Sequence, residues 1–183
     1  MASPKGVAIV TGCAAGIGRA IVFRLASDGY DLALNDLPAK LSDLEHIQAE
    51  IKLKERRSII VAGDVSSEEF VTKMVDDVVR ELGSLEVMVA NAAISPWRSV
   101  LDSECDLSSF VIITELIIIF TSVRAADFDH VLAVNARSVF LCFQQAARVM
   151  ISQGRGGRII GASSNAGKQG IHLSTIQSNY TFS

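Results

Sequence analysis

Residues 7–18 read VAIVTGCAAGIG, and the fold can be worked out from them. Val7 to Thr11 have the apolar, β-branched character of a buried strand, and an amphipathic helix from about Ile17 to Asp28 follows at once. Between them, each glycine has a use. Gly12 permits a tight turn, Gly16 lets the backbone approach a pyrophosphate, and Gly18 lets the helix pack closely on the strand. The helix N-terminus offers N–H groups and the positive end of its dipole to an anion. A nucleoside-triphosphate loop would need Lys and then Ser or Thr after its last glycine, whereas Gly18 is followed by Arg19 and Ala20. The turn therefore favours a dinucleotide; the plainer alternative is a glycine-rich β-to-α turn with no ligand.

Outward from this turn the same rhythm repeats. Short apolar runs alternate with longer amphipathic stretches, as in βαβ units whose parallel sheet is buried on both faces. Strands are expected at Val7 to Thr11, Asp31 to Asn35, Ser58 to Ala62, Val87 to Asn91 and Arg158 to Ala162. Helices are expected over Ile17 to Asp28, Ser42 to Arg56, Ser67 to Leu82 and Phe128 to Gln153, with Gly29 and Gly83 stopping two of them. Ser66 with Glu69 three residues on reads as a capping box for the third helix. Asp36, 18 residues past Gly18, stands at the end of the second strand. There a carboxylate can accept hydrogen bonds from an adenosine ribose and repel a 2′-phosphate, which prefers NAD to NADP. Its alternative is to start the Asn35-Asp36-Leu37-Pro38 turn.

Composition narrows the class. The chain has 183 residues, 17 Lys+Arg against 20 Asp+Glu and a net charge of −3. A single domain of this length buries roughly 70% of its unfolded surface and needs no disulfide or metal staple. The acidic balance argues against nucleic acid or an anionic membrane as partner. Cys13, Cys105 and Cys142 are odd in number and their spacing suits neither a disulfide framework nor zinc, so a reducing, cytoplasmic setting is expected. The N-terminal MASPKGVAIV is unlike a signal peptide. His46, His130 and His172 share no metal spacing.

With these motifs in order, the sequence resembles the short-chain dehydrogenase/reductase family from Val7 to about Gly170. TGCAAGIG, Thr11 to Gly18, matches the family's TGxxxGIG. Asp64-Val65 matches its adenine-contacting Asp-Val pair, and Asn91-Ala92-Ala93 resembles its Asn-Ala-Gly after the fourth strand. Asn135 in VLAVNARSVF falls where the family keeps a helix Asn that holds a catalytic water. RIIGASS, Arg158 to Ser164, resembles the fifth strand with its terminal catalytic Ser, here Ser164. The resemblance implies a Rossmann-like, doubly wound α/β domain over residues 1–183 with strand order 3-2-1-4-5. It implies a catalytic pair Ser164 and Asn135, and cofactor contacts from Gly12, Gly16, Ile17, Gly18, Asp36, Asp64, Val65, Asn91 and Ala92. It also implies NAD(P)-dependent hydride transfer on a small alcohol or carbonyl, and a homo-oligomer paired through the helix of residues 128–153. Taken singly, Asp64 and Ser163-Ser164 also suit ordinary turns, Asn91 can tie down a strand end, and Asn135 can plug a helix backbone.

Two segments depart from the family pattern. The family's base is a Tyr whose pKa is lowered by a Lys four residues on, 13 residues beyond the Ser; that spacing falls on Gln177, with Thr181 at the Lys position. Tyr180 is three residues late, and the last lysine is Lys168. An atypical tail at about 171–183 therefore replaces the Tyr-Lys helix, and the fold is expected to be truncated relative to the family. An atypical insertion at about 103–125 carries FVIITELIIIF, Phe110 to Phe120, which is too short to span a membrane. Joining Asp102 to Ala126 would restore a loop of ordinary family length; both segments are expected to be translated from unspliced introns or a faulty gene model, the second bringing in a stop codon. The alternative function is then a catalytically silent dinucleotide-binding fragment or subunit.

Overall fold

The computed structural model describes residues 5–94 and 124–164. They divide between two compact units, one of Met1–Ala93 with Arg137–Ala162 and one of Ile94–Ala136 with Ser163–Ser183. In the first unit the chain runs β1 (Val7–Thr11), α1 (Gly16–Asp28), β2 (Asp31–Asn35), α2 (Leu41–Leu53), β3 (Ser58–Ile60), α3 (Glu68–Leu82) and β4 (Val87–Ala90). In the second unit lies α4 (Ala125–Leu132), followed by a π-helical turn, Ala133–Arg137, whose last residue, Arg137, belongs to the first unit. The first unit then resumes with α5 (Ser138–Gln153) and β5 (Arg158–Gly161).

Among the described residues the four strand pairings are all parallel, in the order β3-β2-β1-β4-β5. This is the expected doubly wound order. The pleat assigns the core residues of β1 to two layers. Val7 and Ile9 pack with Val71 and Met74 of α3 and Leu141 and Ala146 of α5. Ala8 and Val10 pack with Val22 and Ala26 of α1 and Leu44, Ile47 and Ile51 of α2. Both faces of the central strands are thus covered, which is why VAIV and VMVA read as unbroken apolar runs. In the aligned register Val10 stands between Leu34 and Val89. The strand order reverses between β1 and β4, so the carboxyl ends of the strands open a crevice where this architecture binds ligands.

Several boundaries move from their expected places, and each has a local cause. The third helix starts at Glu68 with Ser67, not Ser66, as its cap: Ser67 Oγ accepts the Phe70 N–H at 3.2 Å. The Asp64 carboxylate takes the Ser66 N–H at 2.8 Å, and this Asx turn delays the helix by one residue. The second helix ends at Leu53 because Glu55 adopts a left-handed conformation, φ 59°. The helix expected over 128–153 begins at Ala125 and is interrupted by the π-helical turn. β3 is two residues shorter than expected and β4 and β5 are each one shorter. Gly29 and Gly83 end their helices as expected, at φ 102° and 97°. The Phe110 to Phe120 run, Cys105, His172, Gln177, Tyr180 and Thr181 lie outside the described residues, as do most of the 103–125 insertion and all of the 171–183 tail.

Candidate nucleotide site

The first turn of α1 is open. Its N-cap, Ala15, has extended backbone (φ −148°, ψ 175°) and no side-chain cap, and no acidic residue lies in the turn. A helix start leaves several N–H groups without intrahelical acceptors, and here no side chain of the cap supplies one. Gly16 sits at φ +53°, and a Cβ placed there would meet nothing within 4 Å, so the space above the turn is clear. Ile17, on the same turn, is 74% exposed. An uncapped, positive helix end with open space before it suits the phosphates of a dinucleotide.

The other two glycines serve packing. A Cβ on Gly18 would stand 2.2 Å from the Gly12 carbonyl oxygen and 2.7 Å from Asn91 Nδ2. A Cβ on Gly12, at φ +64°, would lie 2.7 Å from Ala92 Cα. Asn91 Nδ2 donates to the carbonyls of Thr11 at 3.0 Å and Gly12 at 3.1 Å. The buried Thr11 hydroxyl accepts the N–H groups of Asn91 and Ala92, both at 3.0 Å. The strand-tying alternative for Asn91 is therefore realised: it fixes the glycine turn from behind.

Asp36 leaves β2 beside this turn. Its Oδ2 accepts the Ala14 N–H at 2.9 Å and its Oδ1 accepts the Leu37 N–H at 2.8 Å. Each carboxylate oxygen keeps a further lone pair for a ribose hydroxyl. Asp64 is exposed, whereas Val65 is 5% exposed with its side chain in the core. Burial first, and the Asp36 charge second, push the Cys13 thiol up to about 12, and burial pushes Cys142 up to about 12. Both thiols are therefore protonated at neutral pH.

In the second unit the Asn135 amide both donates to the Ile94 carbonyl and accepts the Ile94 N–H, each at 2.8 Å. It sits in the π-helical turn, a distortion found frequently at functional sites. Ser164 follows β5 and is half-buried. Sequence inspection missed Thr11, whose hydroxyl accepts the Asn91 and Ala92 N–H groups, and two residues that hydrogen-bond to the β3–α3 loop, Asn35 to the Val61 and Gly63 carbonyls and Arg137 to the Ser66 carbonyl. Asn35 was signalled by its position, an amide closing the otherwise apolar run LALN. Arg137 carried no sequence signal.

A family model for short chain dehydrogenases matches residues 6–181. The chain is 46% identical over 173 residues to the short-chain dehydrogenase/reductase eriH of Hericium erinaceus, covering 93% of this chain and 61% of that one. It is 45% identical to a short-chain dehydrogenase/reductase of Armillaria gallica, covering 91% and 56%. A short chain dehydrogenase of Burkholderia cenocepacia, solved in complex with NADP, superposes with a TM-score of 0.75 at 31% identity, covering 92% of this chain and 59% of that one. The chain therefore belongs to the short-chain dehydrogenase family. It spans about three-fifths of the length of these curated relatives. Among the described residues, no helix is long and apolar enough to cross a membrane.

Proposed function

We propose that this chain carries the adenosine half, and two of the catalytic groups, of a nicotinamide-dependent oxidoreductase that interconverts a small alcohol and its carbonyl, with NAD preferred to NADP. The observation that carries this reading is the uncapped α1 start, open above Gly16, with the Asp36 carboxylate held beside it. When bound, the nicotinamide ring supplies the hydride donor or acceptor. The α1 N–H groups hold the pyrophosphate, and Asp36 accepts from the adenosine ribose while repelling a 2′-phosphate. Asp64 and the Val65 backbone border adenine, and exposed Ile17 gives an apolar wall. Gly12, Gly16 and Gly18 shape the turn, while Asn91 and Ala92 hold it from behind.

On the chemical side, the Ser164 hydroxyl donates to the substrate oxygen and polarises it, and Asn135 organises the proton relay. Self-association through α5 belongs to the same reading, since Phe140 and Ile151 are 60% and 80% exposed. The two buried, unpaired thiols, Cys13 and Cys142, accord with a reducing cytoplasm.

A second reading is favoured by Gln177 and Thr181, which stand where the family resemblance expects the base and its lysine. It makes the chain a dinucleotide-binding module without turnover. Loss of general acid/base help alone costs about 10²–10⁴ in rate. Titration with NAD, run beside a spectrophotometric assay of NAD reduction with small secondary alcohols, separates the two. Binding with turnover supports the oxidoreductase; binding without turnover supports the module; no binding overturns both.

A further inference from the structure

The loop that joins β3 to α3 carries Asp64 and Val65, and it is held from two sides. From within, the amide of Asn35, 1% exposed, donates to the carbonyls of Val61 at 2.9 Å and Gly63 at 3.2 Å. The Gly63 N–H donates to the Asp36 carbonyl at 2.9 Å, so this side of the loop is tied to the end of β2. From outside, Arg137 reaches it across 71 residues of sequence: Nη1 donates to the Ser66 carbonyl at 2.8 Å and Nη2 to Glu68 Oε2 at 3.1 Å. Between these anchors the Asp64 carboxylate and carbonyl accept the N–H groups of Ser66 and Ser67.

Arg137 is poorly explained as a stabilising residue. Its side chain is half exposed, and an exposed ion pair of this kind contributes little to folding. A cation beside the start of α3 also opposes the helix dipole, an effect that Glu68 offsets. What the guanidinium does is fix the carbonyl two residues beyond Asp64 at a set distance from the α3 start. A loop already ordered loses less conformational freedom when a ligand docks on it.

We propose that Arg137 is a positioning residue for adenine: it latches the Asp64-Val65 loop in its binding conformation without touching the nucleotide. The inference rests on the dinucleotide reading above and deepens it. Loss of a fork donating to one carbonyl and one exposed carboxylate should weaken binding of adenine nucleotides about 3- to 10-fold. The test is calorimetric titration of the full chain with AMP and with NAD, for wild type, Arg137→Met and Arg137→Lys, with hydrogen exchange followed at the 64–68 amides. Arg137→Met is expected to lose affinity for both ligands, to keep the wild-type melting temperature and to exchange faster at those amides. Arg137→Lys, which restores one charged donor, is expected to fall between the two. AMP affinity within about twofold of wild type in Arg137→Met, or lost affinity with unchanged exchange at the loop, would overturn the latch. Absence of AMP and NAD binding by wild type would overturn the dinucleotide reading itself, and the latch with it.

Discussion

The starts of α1 and α3 are built from opposite choices. At α3, Ser67 caps the helix through the Phe70 N–H, and Glu68 and Glu69 place two carboxylates in the first turn. At α1, Ala15 offers no cap and no acidic residue follows. The α3 start satisfies its own donors and dipole, which is what a purely structural helix does. The α1 start leaves that work undone, and the space before Gly16 is clear. A helix end that the chain could have capped, but does not, is where an external anion fits.

The sharpest way to break the comparison is to fill the α1 turn. Gly18→Ala puts a methyl 2.2 Å from a backbone carbonyl that cannot move away easily. The expected loss is about 3 kcal/mol, read from urea unfolding, together with loss of NAD binding. Gly83→Ala, at the end of α3, meets no atom within 4 Å and should cost only about 1 kcal/mol for its left-handed φ.

Next in size comes the carboxylate beside α1. Asp36→Ala removes the ribose acceptor and should weaken NAD binding about 10- to 100-fold in titration, while NADP binding changes less and the preference disappears. Ala15→Asp then supplies α1 with what α3 already has. Its backbone is extended, as a cap requires, so the helix should gain about 0.5–1 kcal/mol while NAD affinity falls through repulsion of the pyrophosphate. A variant that gained both stability and affinity would contradict the division of roles between the two helix starts. Ser67→Ala, the reverse experiment at α3, should cost about 1 kcal/mol in thermal or urea unfolding, with a smaller change in NAD affinity than Ala15→Asp gives.

A pH dependence is expected from Cys13, inside the α1 turn. Its folded pKa of about 12 lies above its ordinary 9.0, so its contribution to stability is intact below pH 9 and is lost as pH rises from there towards about 12. Near neutral pH a thiol reagent should therefore label Cys13, followed by mass spectrometry of its own peptide, no faster than the chain unfolds. Labelling of Cys13 at an exposed-thiol rate would show that the turn is not packed as described.

The sheet was legible because its residues obey simple periods. The unbroken apolar strands and the glycines at 12, 16, 18, 29 and 83 each express a backbone requirement that no other residue meets as well, and the strand order follows from the motifs that resemble the family. The candidate site was legible where it depends on residue type at a fixed spacing, as with Asp36 after β2. It was not legible where function depends on pairs brought together by folding. Thr11 reaches Asn91 across 80 residues, and Arg137 reaches Ser66 across 71, with no local pattern to reveal either contact. The displaced cap at α3 has the same origin on a smaller scale. Ser66 and Ser67 are equally good caps by type, and the Asp64 side chain decides between them by taking the Ser66 N–H.

The most direct test of the central claim, that the uncapped α1 start and Asp36 together form an adenine-dinucleotide site, is calorimetric titration of the full chain with NAD, NADP and ADP-ribose. The account predicts saturable binding of NAD and ADP-ribose with similar affinity, and weaker binding of NADP. No binding of any of the three, or NADP bound more tightly than NAD, would contradict it.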